Sequence, residues 1–205
     1  MTRAPCRAKK TGTKGDITCT KFGDVITADH AVCGSPEAFS RHGDTVALIV
    51  QDKFTMWIDA KAAPSKNAET TFNILQQLVS PHEKVELFYS DNAQELGIAA
   101  RELGWRSATS TPWRSETNGV GERAVRRVNE GTRAFSIQSG LSNEWWPELM
   151  ECYTCLRNFS DKIVEQDGKT PHELRHSKPF KGKLVPCGAR IRYLPASPRD
   201  LDQHR

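Results

Sequence analysis

Residues 83–111 read EKVELFYSDNAQELGIAARELGWRSATST, a stretch in which strand and helix patterns alternate. A short apolar run ends at a polar exit, Tyr89 to Asn92, and a helical pattern follows over residues 93–104. A second short strand is predicted over residues 105–111. Because a strand, a helix and another strand follow one another directly, the sequence predicts the α/β class.

Upstream of this stretch, three further strands are predicted over residues 22–32, 44–52 and 54–60. The turn between the last two is predicted at Gln51–Lys53, which makes Asp52 an expected turn residue, and the three strands form an antiparallel meander. A helix is predicted over residues 65–80, with Ser65 as its cap and an inward stripe. The sequence thus predicts a mixed five-stranded sheet flanked by helices. The predicted stripe comprises Phe72, Leu75, Leu78 and Val79.

Residues 114–127, RSETNGVGERAVRR, lead into a long predicted helix that Thr117 or Asn118 can cap. A helical projection separates an apolar face from a charged one. A solvated charged face with a Glu to Arg pair is worth only about 0.2–0.5 kcal/mol, so the charged face alone does not decide between a surface stripe and a functional site. The apolar face comprises Val120, Ala124, Val128 and Phe135, and the charged face comprises Glu122, Arg126, Asn129 and Arg133.

Two aspartates occupy the ends of predicted strands. Asp29 lies in or at the end of the first strand, and Asp91 follows the fourth. Side chains at strand ends can meet above a sheet, and carboxylate oxygens are the ligands that Mg²⁺ and Mn²⁺ prefer. An aspartate that ends a strand is also a common turn former, so each position is ambiguous by itself.

Composition limits the classes of protein. The chain has 205 residues, 37% hydrophobic and 26% charged, which favours one ordered domain with extensions. No run approaches the roughly 18 apolar residues of a membrane span, so we expect a soluble, intracellular protein. The formal net charge is +4, with basic flanks and an acidic middle. Basic flanks suit a phosphate backbone.

The six cysteines are scattered, which predicts reduced thiols rather than a disulfide framework. Cys152 and Cys155 form a C-x-x-C pair, which is compatible with half a zinc site or a redox pair. Because they lie in an apolar helical pattern, we interpret both as core residues.

The C-terminal part shows weaker patterns. Asp167 and Gly168 predict a turn, residues 170–176 a short helix, and residues 189–195 a strand outside the main sheet. The helix contains HELRH, and His172, Glu173 and His176 match the H-E-x-x-H pattern of zinc peptidases.

Three motifs in order, FGDVITADH, LFYSDNAQEL and TPWRSETNGVGERAVRRVNEGTR, resemble the catalytic core of retroviral-type integrases. The resemblance is strongest to the Copia-type LTR retrotransposons, whose integrase is part of a Pol polyprotein. The later stretches NEWWPELMECYTCLRN and GKTPHELRHSKPFKGKLVPCGARIRYLP resemble segments of the same group, so the resemblance covers roughly residues 20–195.

This resemblance implies an RNase H-like fold in which Asp29, Asp91 and Glu122 are the catalytic residues and hold two divalent ions, Mg²⁺ or Mn²⁺. It implies an endonuclease and strand-transfer enzyme that joins retroelement cDNA ends to target double-stranded DNA. A homo-oligomer and a nuclear location, after a stage in a cytoplasmic particle, are implied as well. The residues expected to contact DNA are Asn118, Arg123, Arg126, Asn129 and Arg133.

The expected organisation is a basic N-terminal extension (1–20), a catalytic core (21–162), and a basic linker with the start of a C-terminal region (163–205). Two alternatives remain open from the sequence. One is a non-catalytic DNA-binding remnant of an integrase, and the other is a zinc peptidase that uses HELRH.

Overall fold

One sheet and its flanking helices form the part of the chain that the computed structural model describes, residues 18–80, 82–109 and 119–192. The sheet contains five strands and is accompanied by five α-helices. The strands are β1 (Ile26–Val32), β2 (Val46–Asp52), β3 (Ile58–Ala63), β4 (Phe88–Ser90) and β5 (Ser107–Thr109). The helices are α1 (Ala68–Leu78), α2 (Gln94–Glu102), α3 (Gly119–Ser139), α4 (Trp146–Ser160) and α5 (Pro171–His176).

The strand order is β3-β2-β1-β4-β5. Strands β1, β2 and β3 form the predicted antiparallel meander, whereas β4 pairs in parallel with both β1 and β5. Helix α2 connects β4 to β5, as the alternating pattern of residues 83–111 predicts. The predicted mixed five-stranded sheet is therefore confirmed.

Successive side chains of a strand point to opposite faces of the sheet, so apolar residues lie on both faces. Helices cover both of these faces. On one face, α1 and α2 pack on Ile26, Ala28 and Leu48. On the other face, α3 and α4 pack on Ala47, Ile49 and Ile58 through Ala124, Val128 and Met150. The molecule thus has three layers, and consecutive residues of β1 point into different cores.

The turn between β2 and β3 differs from the sequence prediction. Strand β2 continues through Asp52, and the turn is formed by residues 53–55. The Asp52 side chain is buried and accepts hydrogen bonds from the backbone N–H of Gly23 at 3.0 Å and of Thr55 at 2.6 Å. The prediction of Asp52 as a simple turn residue is wrong, because its carboxylate ties the turn to the start of β1.

The caps and faces of two helices also refine the prediction. Helix α1 is capped by Asn67, whose side chain accepts from the Thr70 N–H at 2.8 Å, so Ser65 is not its cap. In α3, Ala124 and Val128 are buried as predicted, but Val120 and Phe135 are only partly buried. The residues that could cap α3, Thr117 and Asn118, lie outside the described ranges.

Helix α4 protects the edge of the sheet with a polar side chain. Asn158 is fully buried, and its amide donates to the Ile58 carbonyl at 2.8 Å and accepts from the Ile58 N–H at 3.0 Å. Because β3 is the outer strand of the meander, Asn158 replaces a missing neighbouring strand at that residue.

The cysteines of α4 do not both lie in the core. Cys152 is partly buried, but Cys155 is exposed, so the interpretation of the pair as core residues is wrong for Cys155. Cys33, Cys152, Cys155 and Cys187 are free thiols. Burial and the neighbouring Cys187 thiol raise the pKa of Cys152 to about 12.

The C-terminal part folds back onto the core. Asp167 and Gly168 form the predicted turn, and both have positive φ, 54° and 70°. Helix α5 forms as predicted and is held by Arg175, whose guanidinium lies 3.9 Å from the Phe22 ring centre and 4.6 Å from that of Trp57. Residues 189–192 form no strand, so that part of the prediction is wrong; residues 193–195 lie outside the described ranges.

Among the described helices, no segment combines the length and apolar character that crossing a bilayer requires.

Candidate active site

The register of two neighbouring strands brings Asp29 and Asp91 to the same place. Ala28 pairs with Ser90 at the end of the parallel β1–β4 ladder. Asp29 is the residue after Ala28, and Asp91 is the residue after Ser90. Adjacent strands lie about 4.8 Å apart, and equivalent residues point to the same face. Because Ala28 belongs to the core under α1 and α2, Asp29 points to the opposite face, toward α3.

Helix α3 brings the third carboxylate to this face. Ala124 and Val128 are buried against the sheet, which fixes the rotation of the helix and leaves Glu122 exposed beside them. Glu122 and Asp29 line a common open cleft of about 450 Å³. The structure therefore brings Asp29 and Glu122 into one cleft, with Asp91 directly after β4, the strand next to β1.

The charges of the three carboxylates act on one another. Burial raises the pKa of Asp29 above its ordinary value, and the negative charges of Asp91 and Glu122 raise it further. A hydrogen bond from the His30 N–H to Asp29 Oδ1, at 2.8 Å, acts in the opposite direction. Mutual repulsion of this kind is relieved when a cation binds between carboxylates.

Two aspartates and a glutamate are a suitable donor set for a hard divalent cation. The described residues nevertheless contain no group of three His, Cys, Asp or Glu side chains that already has the spacing of a metal site. The donor types fit Mg²⁺ or Mn²⁺, but the three side chains are not gathered into a finished coordination shell.

Several of the residues expected to contact DNA line the same cleft. Arg126, Asn129 and Arg133 lie along the wall that α3 contributes, one and more turns beyond Glu122. Arg123 is exposed on α3 but is not part of the cleft lining. Asn118 lies outside the described residues.

Sequence reasoning missed a cluster of ionisable side chains beside the segment after Asp91. His30 and Lys66 lie 4.0 Å and 3.5 Å from Glu95 Oε1, which connects the first turn of α2 to β1 and to the approach of α1. Burial lowers the pKa of His30, and the Glu95 charge opposes that effect. The strand alternation in the sequence already places the His30 side chain on the face opposite to Asp29, the side of the sheet that α2 covers.

The HELRH residues have other contacts. The Glu173 carboxylate accepts from the Thr170 N–H at 2.7 Å and so forms a capping box with Thr170. The rings of His172 and His176 pack on each other and on Phe159 and Trp57, respectively. These contacts give the motif a role in starting α5 and in docking it on α4.

No protein-family model matches the chain. The structure is similar to the catalytic core domain of BIV integrase, with a TM-score of 0.54 and 19% identity over 76% of this chain and 95% of that one. It is similar to the HTLV-2 integrase catalytic core domain, solved in complex with magnesium in a trimeric form, with a TM-score of 0.57 and 13% identity over 76% and 98% of the two chains.

A third similar chain belongs to a simian T-cell lymphotropic virus intasome solved in complex with the PP2A regulatory subunit B56 gamma. The TM-score is 0.62 and the identity 14%, over 86% of this chain and 61% of that longer one. At such identities the similarity is one of fold. The chain has the RNase H-like fold seen in retroviral integrase catalytic cores.

Proposed function

We propose that the chain is an integrase-type catalytic core that performs divalent-metal-dependent phosphodiester transesterification, with retroelement cDNA ends and target DNA as substrates. The carrying observation is the position of Asp29 and Asp91, one residue beyond the Ala28–Ser90 pair of adjacent parallel strands, with Glu122 in the cleft of Asp29. The motif resemblance extends the proposal to a Copia-type element.

Asp29, Asp91 and Glu122 would hold two ions, Mg²⁺ or Mn²⁺. When bound, such ions activate an attacking water or 3′-hydroxyl and stabilise the leaving 3′-oxygen. The chain itself contributes the fixed positions of the carboxylates and the cations that attract the phosphodiester. Arg126 and Arg133 are exposed along the same cleft, where their charges suit a DNA backbone.

The proposal includes the domain boundaries at 20/21 and 162/163, a homo-oligomer as the active form, and a nuclear location. A homo-oligomer is supported by the trimeric and intasome forms of two similar proteins.

One observation favours the alternative of a non-catalytic DNA-binding remnant. The described carboxylates do not form a ready-made metal group, whereas the cations of the cleft suit DNA without any metal. The two functions differ in metal dependence: only the enzyme requires the carboxylates to bind an ion.

The test is the replacement Asp91→Asn, assayed for Mn²⁺-dependent joining of a labelled DNA end and for its reversal on a branched DNA substrate. The wild-type chain should join strands, and Asp91→Asn should abolish joining while DNA binding persists. The stabilisation by Mn²⁺ should also shrink, because bound ligand stabilises by RT ln(1 + [L]/Kd).

Asp167→Asn is the matched control. Asp167 is exposed, and its φ of 54° is a conformation that Asn adopts readily. It should join strands as the wild type does. Wild-type DNA binding without any joining would support the remnant, and full activity of Asp91→Asn would refute the carboxylate assignment.

A further inference from the structure

A second cleft lies on the other flank of α3. Arg126 lines the cleft of Asp29, whereas Arg127 lines this one, so the helix separates them. The second cleft has a volume of about 820 Å³ and is bounded by the β2–β3 turn, the end of α4 and residues 161–166. Its lining includes four cations, Lys53, Arg127, Arg157 and Lys162, and two acids, Asp161 and Glu165.

The central cation of this cleft is buried. The Arg157 side chain is 7% exposed, and its Nη1 donates to the Met56 carbonyl at 2.9 Å. Its Nε lies 3.3 Å from Asp161 Oδ2 and has no hydrogen-bond partner. A buried guanidinium is costly unless its charge and its N–H groups are matched.

The charge of Arg157 is only partly balanced. Burial lowers the pKa of Arg157, the like charge of Arg127 lowers it further, and Asp161 opposes both effects. Asp161 is the nearest acid, and its side chain is 53% exposed, so water weakens the attraction. The four cations of the cleft thus face two exposed acids, Asp161 and Glu165, which leaves a net positive charge there.

An anion would complete this arrangement. A guanidinium binds phosphate oxygens through paired N–H donors, and a hydrogen bond to a charged group is stronger than a neutral one. Lys53 and Lys162 line the same cleft and would add point charges. A carboxylate ligand would present less charge to four cations than a phosphate does.

We propose that the cleft between Arg127, Arg157 and Lys162 binds a phosphate group, separately from the carboxylate cleft. The phosphate belongs either to a free oligophosphate or to a DNA backbone; the second source rests on the proposed function, and the first does not. In either case the site requires no divalent metal.

The first measurement uses the whole chain and inorganic tripolyphosphate, titrated by calorimetry in the presence of EDTA. Arg127→Gln and Lys162→Gln should each weaken binding about tenfold, as expected for loss of one charge-assisted contact. Arg157 is left intact, because its contact with the Met56 carbonyl makes it part of the fold. Arg101→Gln, an exposed position on α2, is the charge-matched control and should bind as the wild type does.

The second measurement identifies the source of the phosphate. If a DNA phosphate occupies the cleft, Arg127→Gln should lower the slope of log K against log salt for duplex binding by about 0.9, whereas Arg101→Gln should not. If the slope is unchanged while tripolyphosphate binding falls, the ligand is a free oligophosphate.

The proposal is overturned if the wild type does not bind tripolyphosphate, or if Arg127→Gln and Lys162→Gln bind it as tightly as Arg101→Gln does. Because EDTA removes divalent ions, failure of the proposed metal site leaves this result unaffected. Strand-transfer activity and the oligophosphate site can therefore fail independently.

Discussion

The replacement Gly131→Ala probes how α3 is held against α4. A Cβ at Gly131 would overlap the Tyr153 ring of α4. That ring cannot turn away freely, because it packs edge-on against Phe135 with the ring centres 5.5 Å apart. The methyl group must therefore push the two helices apart or displace both rings.

Two opposing effects set the size of the change. Overpacking of a core costs about 1–3 kcal/mol, whereas Ala in place of Gly favours a helix by about 1 kcal/mol. Gly97→Ala measures the helix-propensity effect without overpacking, because Gly97 lies within α2 and a Cβ there meets no atom within 4 Å. We expect Gly97→Ala to be stabilised by about 1 kcal/mol, and Gly131→Ala to be less stable than Gly97→Ala by about 1–3 kcal/mol.

Urea unfolding followed by tryptophan fluorescence measures both variants, and thermal unfolding should separate them by several degrees. Gly131→Ala should also reduce strand transfer under the proposed function, because α3 carries Glu122. The reasoning is refuted if Gly131→Ala is as stable as Gly97→Ala, since the close approach of α3 to Tyr153 would then have no energetic weight.

Two further replacements test buried polar groups. Burial raises the pKa of Asp59 from 3.8 to about 6, despite the hydrogen bond from Trp57 Nε1 at 2.7 Å. Between pH 3.8 and about 6, the folded protein therefore keeps a proton on Asp59 that the unfolded chain loses. The stabilisation from protonated Asp59 is complete below pH 3.8 and is lost as the pH rises through about 6. Relative to Asp59→Asn, the wild type should lose about 3 kcal/mol of unfolding free energy over this range; parallel pH profiles of the two proteins would contradict this. Asn158→Ala leaves the buried N–H and carbonyl of Ile58 without partners and should cost about 2–4 kcal/mol in urea unfolding, with faster hydrogen exchange at the Ile58 amide; unchanged exchange there would contradict the edge-pairing role.

The parts of the fold that the sequence predicts are those governed by local periodicity. The strand patterns and the alternation over residues 83–111 are sufficient for the mixed sheet, and the helical projection separates the buried Ala124 and Val128 from the exposed Glu122. The proximity of Asp29 and Asp91 follows from the same patterns, because Asp29 lies in β1, Asp91 directly follows β4, and the two strands pair in parallel.

The parts that the sequence does not predict depend on distant partners. Asn158 pairs with Ile58 across 100 positions of the chain, and no local pattern marks such an amide as buried. Aspartate is a residue type common in turns, so the sequence favours a turn at Asp52. Its hydrogen bond from the Gly23 N–H joins residues 29 positions apart, and no local pattern indicates it. The second cleft was missed for a similar reason, since Lys53, Arg127 and Lys162 come from three separate segments.

The two aspartates are positioned by strand pairing, whereas the glutamate is positioned by the packing of a helix. The separation of Asp29 and Asp91 is set by main-chain hydrogen bonds of one ladder, which side-chain substitutions hardly alter. The distance from either aspartate to Glu122 depends instead on how deeply Ala124 and Val128 settle on the sheet. Substitutions in the core beneath α3 should therefore change the position of the glutamate alone, so under the proposed function changes that adjust activity are expected on the buried side of that helix.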